Sequence, residues 1–302
     1  MNRLRVYAQL VRLPNLPSAL ADICLAAFAL AAQPPVERLV DGFPFGVFVF
    51  LLLSSACLYS SGMVWNDYFD QEQDRRERPF RPLPSGRVTP REAVQLGAGL
   101  MAAGVACALV AGRLSVWLAL ALVVAILAYD GWLKRTWAGP VAMGLCRFLN
   151  VLLGVSLAGT LAVPWALHLA AVVGLYIGGV TWFARTEARE SNQSALQGAA
   201  AIMLASLVLA LPLPVRGERN VSSVLFPYLL VALGFLIGLP ISRAIKSPSP
   251  SNVQAGVKRC LLGFIVLDAV LATALAGTWG LLILVLLVPA LALNWQKWLY
   301  AT

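Results

Sequence analysis

Long apolar blocks fill most of the chain, and short polar segments separate them. The blocks fall near residues 17–33, 44–65, 92–111, 115–129, 139–161, 165–184, 195–213, 224–242, 259–275 and 278–295. A helix needs about 20 apolar residues to cross the hydrocarbon core of a bilayer, and it satisfies all its backbone hydrogen bonds internally. The pattern therefore predicts an all-α, polytopic membrane helical bundle in one domain, 1–302. Ten segments are marked, but only Gly277 and its neighbours divide the last two. Nine spans plus a re-entrant piece is the alternative count.

Composition agrees. Hydrophobic residues make up 60% of the chain and charged residues 12%, against about 25% charged in a soluble domain. The N-terminal stretch MNRLRVYAQLVRLPN is basic and amphipathic, and the first apolar block reads as a span with no cleavage site. A net charge of +9 would suggest nucleic acid in a soluble protein. Here the cations flank the spans, so a nucleic-acid partner is not expected and membrane lipids are. With the N-terminus placed in the cytoplasm, 18 of the 23 Lys and Arg residues fall in inside segments and four in outside loops. By the positive-inside rule that asymmetry predicts a cytoplasmic N-terminus, and the inner or plasma membrane in a bacterium. Cys24, Cys57, Cys107, Cys146 and Cys260 all lie in apolar blocks with no CxxC pair, so neither a zinc site nor a disulfide frame is expected. His168, the only histidine, reads as structural or interfacial.

The chemistry concentrates where the second block ends. Asn66-Asp67-Tyr68-Phe69-Asp70-Gln71-Glu72-Gln73-Asp74 follows the apolar run Val47 to Val64. On a continuous helix, positions 66, 67, 70 and 74 share roughly 100° of arc and should converge. An amide and three carboxylates suit a hard divalent cation such as Mg²⁺, whose shell is commonly shared with substrate phosphate. Arg75, Arg76, Arg78 and Arg81 follow, and suit the phosphate. Lys134-Arg135 ends the fourth span on the same side, either as a phosphate contact or as an anchor. Glu187 and Glu190 lie about 60° apart on a helix, as further metal ligands or as a solvated helix end. Inside the spans, polar groups are costly. Asp268 reads as an interhelical clamp. Arg147, near Asn150, reads as a ligand contact or as a salt bridge to an acid such as Asp22. Gly174 and Gly178 permit close helix packing.

N-D-x-x-D-x-x-x-D followed by Arg81-Pro82-Leu83-Pro84-Ser85-Gly86 resembles the UbiA superfamily of intramembrane prenyltransferases. Helix number, loop polarity and the Tyr129…Lys134-Arg135 element extend the resemblance over most of the chain. It implies a ring of about nine helices around a central cavity. It also implies Mg²⁺-dependent transfer of a prenyl group from a prenyl diphosphate to a small lipophilic acceptor, most often an aromatic ring. By this resemblance Asn66, Asp67, Asp70 and Asp74 handle the metal–diphosphate. Lys134 and Arg135 then lie near the phosphates, while on their own chemistry Arg78, Arg81 and Arg147 are candidate substrate contacts and Glu187 and Glu190 candidate metal ligands. The second motif departs from the family's aspartates, with Ser191 where an acid is usual. That departure keeps a second function in view, a lipid-diphosphate carrier on the same scaffold. An ion-coupled transporter is a third, supported by Asp22 and Asp268 alone.

Overall fold

A computed structural model describes residues 3–32, 42–185, 192–216 and 224–295. The apolar blocks form helices, and cap chemistry sets several of their ends. A short amphipathic helix, α1 (Arg3–Leu10), precedes the first span, α2 (Leu16–Ala32). Then come α3 (Phe45–Phe69), a surface turn of helix α4 (Gln71–Glu77), α5 (Pro90–Ala111), α6 (Arg113–Gly131) and α7 (Gly139–Val155). The second half holds α8 (Ala166–Ala184), α9 (Gln193–Ala210), the four-residue α10 (Leu213–Arg216), α11 (Phe226–Lys246) and α12 (Pro250–Ala276). A 3₁₀ stretch (Gly277–Leu286) and α13 (Leu287–Trp295) close the described chain.

Two starts show how polar residues extend a helix beyond its apolar block. Thr89 and Glu92 form a reciprocal capping box at α5, with Pro90 in the first turn. Ser249 caps α12 by accepting from Asn252 N–H, again ahead of a proline. Helix α12 therefore begins nine residues before the apolar block at 259. Those first turns are polar on one side, and hydropathy alone does not register them.

Among the described residues, nine stretches are long and apolar enough to cross a membrane. The ninth, Pro250–Leu293, is a hairpin. Gly277 takes φ 63°, a left-handed value that favours glycine. Gly280 then packs directly on the backbone of Ala272 and Thr273. The chain returns along α12 and α2, and Ala290 reaches the cavity that Arg12 and Pro14 also line. Ten 3₁₀ residues and nine α residues span about 33 Å, enough for a crossing. Two crossings by this hairpin would turn the nine stretches into ten passages. Large apolar side chains such as Trp117, Val124 and Phe235 point outward, as a lipid-facing surface requires. The protein is an integral, multi-pass membrane protein.

Helices α2, α3, α6, α7, α8 and α12 enclose a central cavity of about 620 Å³. The others buttress it: α5 packs on α3 and α6, α9 on α8, and α11 on α9 and α12. The ends of α3, α6 and α8 and the start of α7 meet on one face, where Arg135 donates to the Phe69 carbonyl and Arg185 to that of Thr136. His168 is structural, its Nε2 at 2.6 Å from the Leu209 carbonyl.

Close crossing of α7 over α8 depends on Gly144 and Gly174, whose backbones touch. A methyl on Gly144 would lie 2.5 Å from the Gly174 carbonyl oxygen. Gly144→Ala should therefore destabilise the bundle by about 1–3 kcal/mol, since backbone cannot yield as a side chain does. Gly99 has open space around it, so Gly99→Ala should leave stability unchanged or raise it. Thermal unfolding of the two variants in one detergent measures the contrast.

Candidate active site

Helix α3 carries its last turns past the apolar zone and breaks at Asp70, where φ is −93° and ψ 4°. Hydrogen bonds from Asp70 N–H to Asn66 and from Asp74 N–H to Asp70 continue across the break. Asp74 nevertheless pairs with Arg81, whereas Asp70 pairs with Lys134 and Arg135. The four oxygen-bearing side chains do not converge on one point, as a continuous helix would require. They divide into two groups, each around its own cations.

The first group is Asp67 and Asp74. Both are almost fully buried, and Arg81 lies between them, with Nη1 2.7 Å from Asp74 Oδ2 and 3.4 Å from Asp67 Oδ1. Arg12 Nη2 completes the group at 3.0 Å from Asp67 Oδ1, and also donates to Asn66 Oδ1 at 3.2 Å. Burial pushes the Asp74 carboxyl above its ordinary value, and Arg81 pulls it back. Burial likewise lowers the Arg81 guanidinium. For Arg12 burial also opposes the charge, but Asp67, Tyr59 and Asp74 together outweigh it and the guanidinium is held more firmly than usual.

The second group is Asn66, Asp70 and Asp130. Asn66 Nδ2 donates to Asp130 Oδ1 at 2.9 Å. Lys134 Nζ lies 2.7 Å from Asp70 Oδ2 and 4.0 Å from Asp130 Oδ1, close enough for ion pairing but outside hydrogen-bond geometry. Arg135, largely exposed, approaches Asp70 Oδ1 at 3.5 Å. Four acids thus face four cations.

The Pro-rich turn puts Arg81 in place. Ser85 Oγ and N–H both donate to the Arg81 carbonyl, and Gly86 takes φ 72°. Leu83 and Val88 drop into a small apolar cluster with Val6, Leu10, Val64 and Ala93. That cluster ties α1 to α3 and α5. It also holds Arg12, whose backbone takes the left-handed values φ 48°, ψ 52°. A non-glycine residue held there costs of order 1–3 kcal/mol, a strain that persists where surrounding contacts fix it.

Below this mouth the cavity wall becomes mostly apolar, with Leu58, Leu122, Ile126, Ile177, Leu261 and Phe264. Arg147 stands in that wall. It donates to the Ser18 carbonyl, Ser18 Oγ and Asp22 Oδ2 at 3.1, 2.8 and 3.1 Å. Its guanidinium lies 4.9 Å from the Phe264 ring and 5.8 Å from that of Tyr59. The salt-bridge reading of Arg147 is what the structure shows, with Asp22 as its acid, and the same side chain also lines the cavity. Arg78 lines the cavity as well. Glu187 and Glu190 lie outside the described residues.

Sequence reasoning passed over Arg12, Asp130 and Tyr59. Arg12 looks like any cation flanking a first span. Asp130 had a signal, since it lies next to Tyr129 and four residues before Lys134, so one helical turn brings the two together.

Among the described residues, no three His, Cys, Asp or Glu side chains come close enough together to hold a metal. The donor chemistry still fits a hard cation at the second group. The Lys134 ammonium occupies the space between Asp70 and Asp130, with the Asn66 amide alongside, and so stands in for a positive ion among oxygen donors.

The model of the UbiA prenyltransferase family matches residues 22–255. A digeranylgeranylglyceryl phosphate synthase of Ignicoccus hospitalis is 30% identical over 285 residues, covering 86% of this chain and 88% of that one. The synthase of Thermococcus gammatolerans is 33% identical over 168 residues, 53% of this chain and 58% of its own. Among solved structures, an apo UbiA homolog from Aeropyrum pernix K1 superposes with a TM-score of 0.63 at 19% identity, over 86% of this chain and 96% of that one. A UbiA homolog from Archaeoglobus fulgidus bound to GPP and Mg²⁺ gives 0.63 at 17% identity, over 88% and 99%.

The Arg81–Asp74 pair should be strongly coupled, because removing one member leaves a buried charge alone. Arg81→Met should cost about 3–5 kcal/mol of stability. Arg81→Met combined with Asp74→Asn should cost less than the two single losses added together, with a coupling of about 0.5–3 kcal/mol. A double-mutant cycle of unfolding free energies measures it, and additivity would contradict the pairing.

Proposed function

Since the chain belongs to the UbiA prenyltransferase family and is a membrane prenyltransferase, we propose that it transfers the prenyl group of a prenyl diphosphate to an electron-rich acceptor in a Mg²⁺-dependent reaction. The observation that carries this reading is the stacking of the acid and cation network directly on the mouth of a 620 Å³ apolar cavity. One molecule with a polyanionic head and a hydrocarbon tail matches both parts.

Arg12, Arg78, Arg81, Lys134 and Arg135 are the donors available to the diphosphate. At rest most of them are paired with acids, so a diphosphate needs them released. Asn66, Asp70 and Asp130 would hold the metal, with Asp67 and Asp74 beside them and Glu187 and Glu190 as the remaining candidate ligands. When bound, Mg²⁺ supplies positive charge that stabilises diphosphate as a leaving group. Lys134 and Arg135, exchanged from Asp70 to phosphate oxygens, add donors where negative charge grows as the allylic C–O bond ionises. The apolar wall excludes water from the resulting cation, and the rings of Tyr59 and Phe264 offer it cation–π attraction. The acceptor's nucleophilic atom then bonds to C1 of the prenyl group, diphosphate departs, and the acceptor gives up its proton.

The names of the relatives favour an alcohol acceptor, the hydroxyl of a phosphorylated glycerol lipid, over the aromatic ring expected from the sequence. Incubation with labelled prenyl diphosphates of several lengths, with each acceptor class, tests this. Diphosphate release and a prenylated product should appear with Mg²⁺ and vanish with chelator. Asp70→Ala should lower turnover at least about tenfold, which is 1.4 kcal/mol of transition-state stabilisation, while the protein stays folded. Binding of the diphosphate without product, with either acceptor, would favour the carrier reading.

The site face is proposed to be cytoplasmic, on the same charge asymmetry. Because α13 runs back toward that face, reporters fused at the two termini should report one compartment, and it should be the cytoplasm. Opposite signals would restore the nine-span count.

A further inference from the structure

Two acids of the bundle interior take no part in the network at the mouth. Asp22 lies within α2 and Asp268 within α12, and both have no solvent exposure. Asp22 Oδ2 is well served, accepting from Arg147 at 3.1 Å and from Asn150 Nδ2 at 2.7 Å. Its Oδ1 has no donor, and neither oxygen of Asp268 has one. Where α2 packs on α12 the two carboxyl groups act on each other. Other titratable groups near them are Arg147 from α7, Cys24 on α2 and Tyr176 from α8. The Tyr176 hydroxyl is committed to the Cys260 carbonyl at 3.1 Å. Arg147 is the one cation acting on the pair among the described residues.

Two ionised carboxylates in contact repel, and one guanidinium cannot neutralise both. Full ionisation would also leave three buried oxygens without donors in a membrane interior, where water cannot supply them. A single proton cancels the surplus charge and cuts the donorless oxygens from three to one, the carbonyl oxygen of a neutral acid, which costs far less to bury than a charged carboxylate.

We propose that Asp22 and Asp268 share one proton, carried by Asp268 and donated to Asp22 Oδ1, and that this acid–carboxylate pair positions Arg147 in the cavity wall. Asp268 fixes Asp22, and Asp22 fixes Arg147, with Ser18 and Asn150 as the further partners. Neither acid lines the cavity, so both act through Arg147 as positioning residues. Their effect on turnover rests on the prenyl-transfer reading, and there the charge balance matters. A guanidinium beside Phe264 and Tyr59 with no counter-ion would repel an allylic cation formed in the same cavity. Paired with Asp22 it presents N–H donors with little net charge.

The infrared spectrum of the purified full-length protein in lipid nanodiscs tests the proton without any turnover. At neutral pH a protonated carboxylic-acid carbonyl band, shifted in D₂O, should be present in the wild type and missing from Asp268→Asn. That difference excludes any other protonated acid, such as one at the mouth. A wild-type spectrum without the band, or a wild-type-minus-Asp268→Asn difference spectrum without it, overturns the shared proton. Given turnover in the wild type, Asp268→Asn should keep it within about threefold, because an amide N–H replaces the acid as donor to Asp22. Asp268→Ala should lose about tenfold or more. In an Arg147→Met background, Asp268→Ala should cost nothing further, since residues acting as one unit are not additive. Equal losses in Asp268→Asn and Asp268→Ala, or additive losses with Arg147→Met, would remove the positioning role while leaving the prenyl-transfer reading in place. A wild type without turnover would sink that reading and leave the infrared result to decide the proton.

Discussion

Charge withdrawn from water must be cancelled within a few ångströms, and this one constraint organises the molecule. Arg81 between Asp67 and Asp74, Arg12 on Asp67, Lys134 between Asp70 and Asp130, and Arg147 on Asp22 are four solutions to it. All but the Arg81 group join elements distant in sequence. The Arg12 contact ties the chain ahead of α2 to the end of α3, and the Arg147 contact fixes α7 to α2. Small changes on either side of such a pair are expensive, because the partner left behind stays buried.

The constraint also explains why the Pro-rich turn and α1 belong to the site. Arg81 can sit between two carboxylates only if the turn that bears it is held down. The apolar cluster of Leu83 and Val88 with Val6 and Leu10 does this. The left-handed backbone of Arg12 is maintained the same way, by α1 packing on one side and by Asn66 and Asp67 on the other.

Much of the fold was legible because bilayer crossing leaves a strong hydropathy pattern. The starts of α5 and α12 were less so, since their first turns are polar and capped by Thr89 and Ser249. The motif at 66–74 was legible as chemistry but not as geometry. Its spacing implies one helical face, yet with a break at Asp70 the acids divide between cations, Asp67 and Asp74 on Arg81 and Asp70 on Lys134. A linear pattern cannot show such a break. Arg12 escaped because its importance rests on partners 54 and 55 residues away and on a backbone angle. Arg147 was readable in part, because an arginine inside a span demands an anion, and Asp22 was the obvious acid.

On the proposed reading, charge balance at the mouth also governs how substrates are taken up. Four acids and four cations leave the resting network near neutrality. A divalent cation alone would add positive charge beside Arg12, Arg81, Lys134 and Arg135, and a diphosphate alone would add negative charge beside four carboxylates. Either arrival by itself is opposed by one half of the network. Arriving together they cancel each other, and the network can divide, with acids turning to metal and cations to phosphate. Affinity for each should therefore depend on the other, a coupling that is reciprocal by thermodynamic necessity. The same division ties leaving-group stabilisation to an occupied acid cluster. Lys134 and Arg135 become free for phosphate only when something positive has replaced them at Asp70.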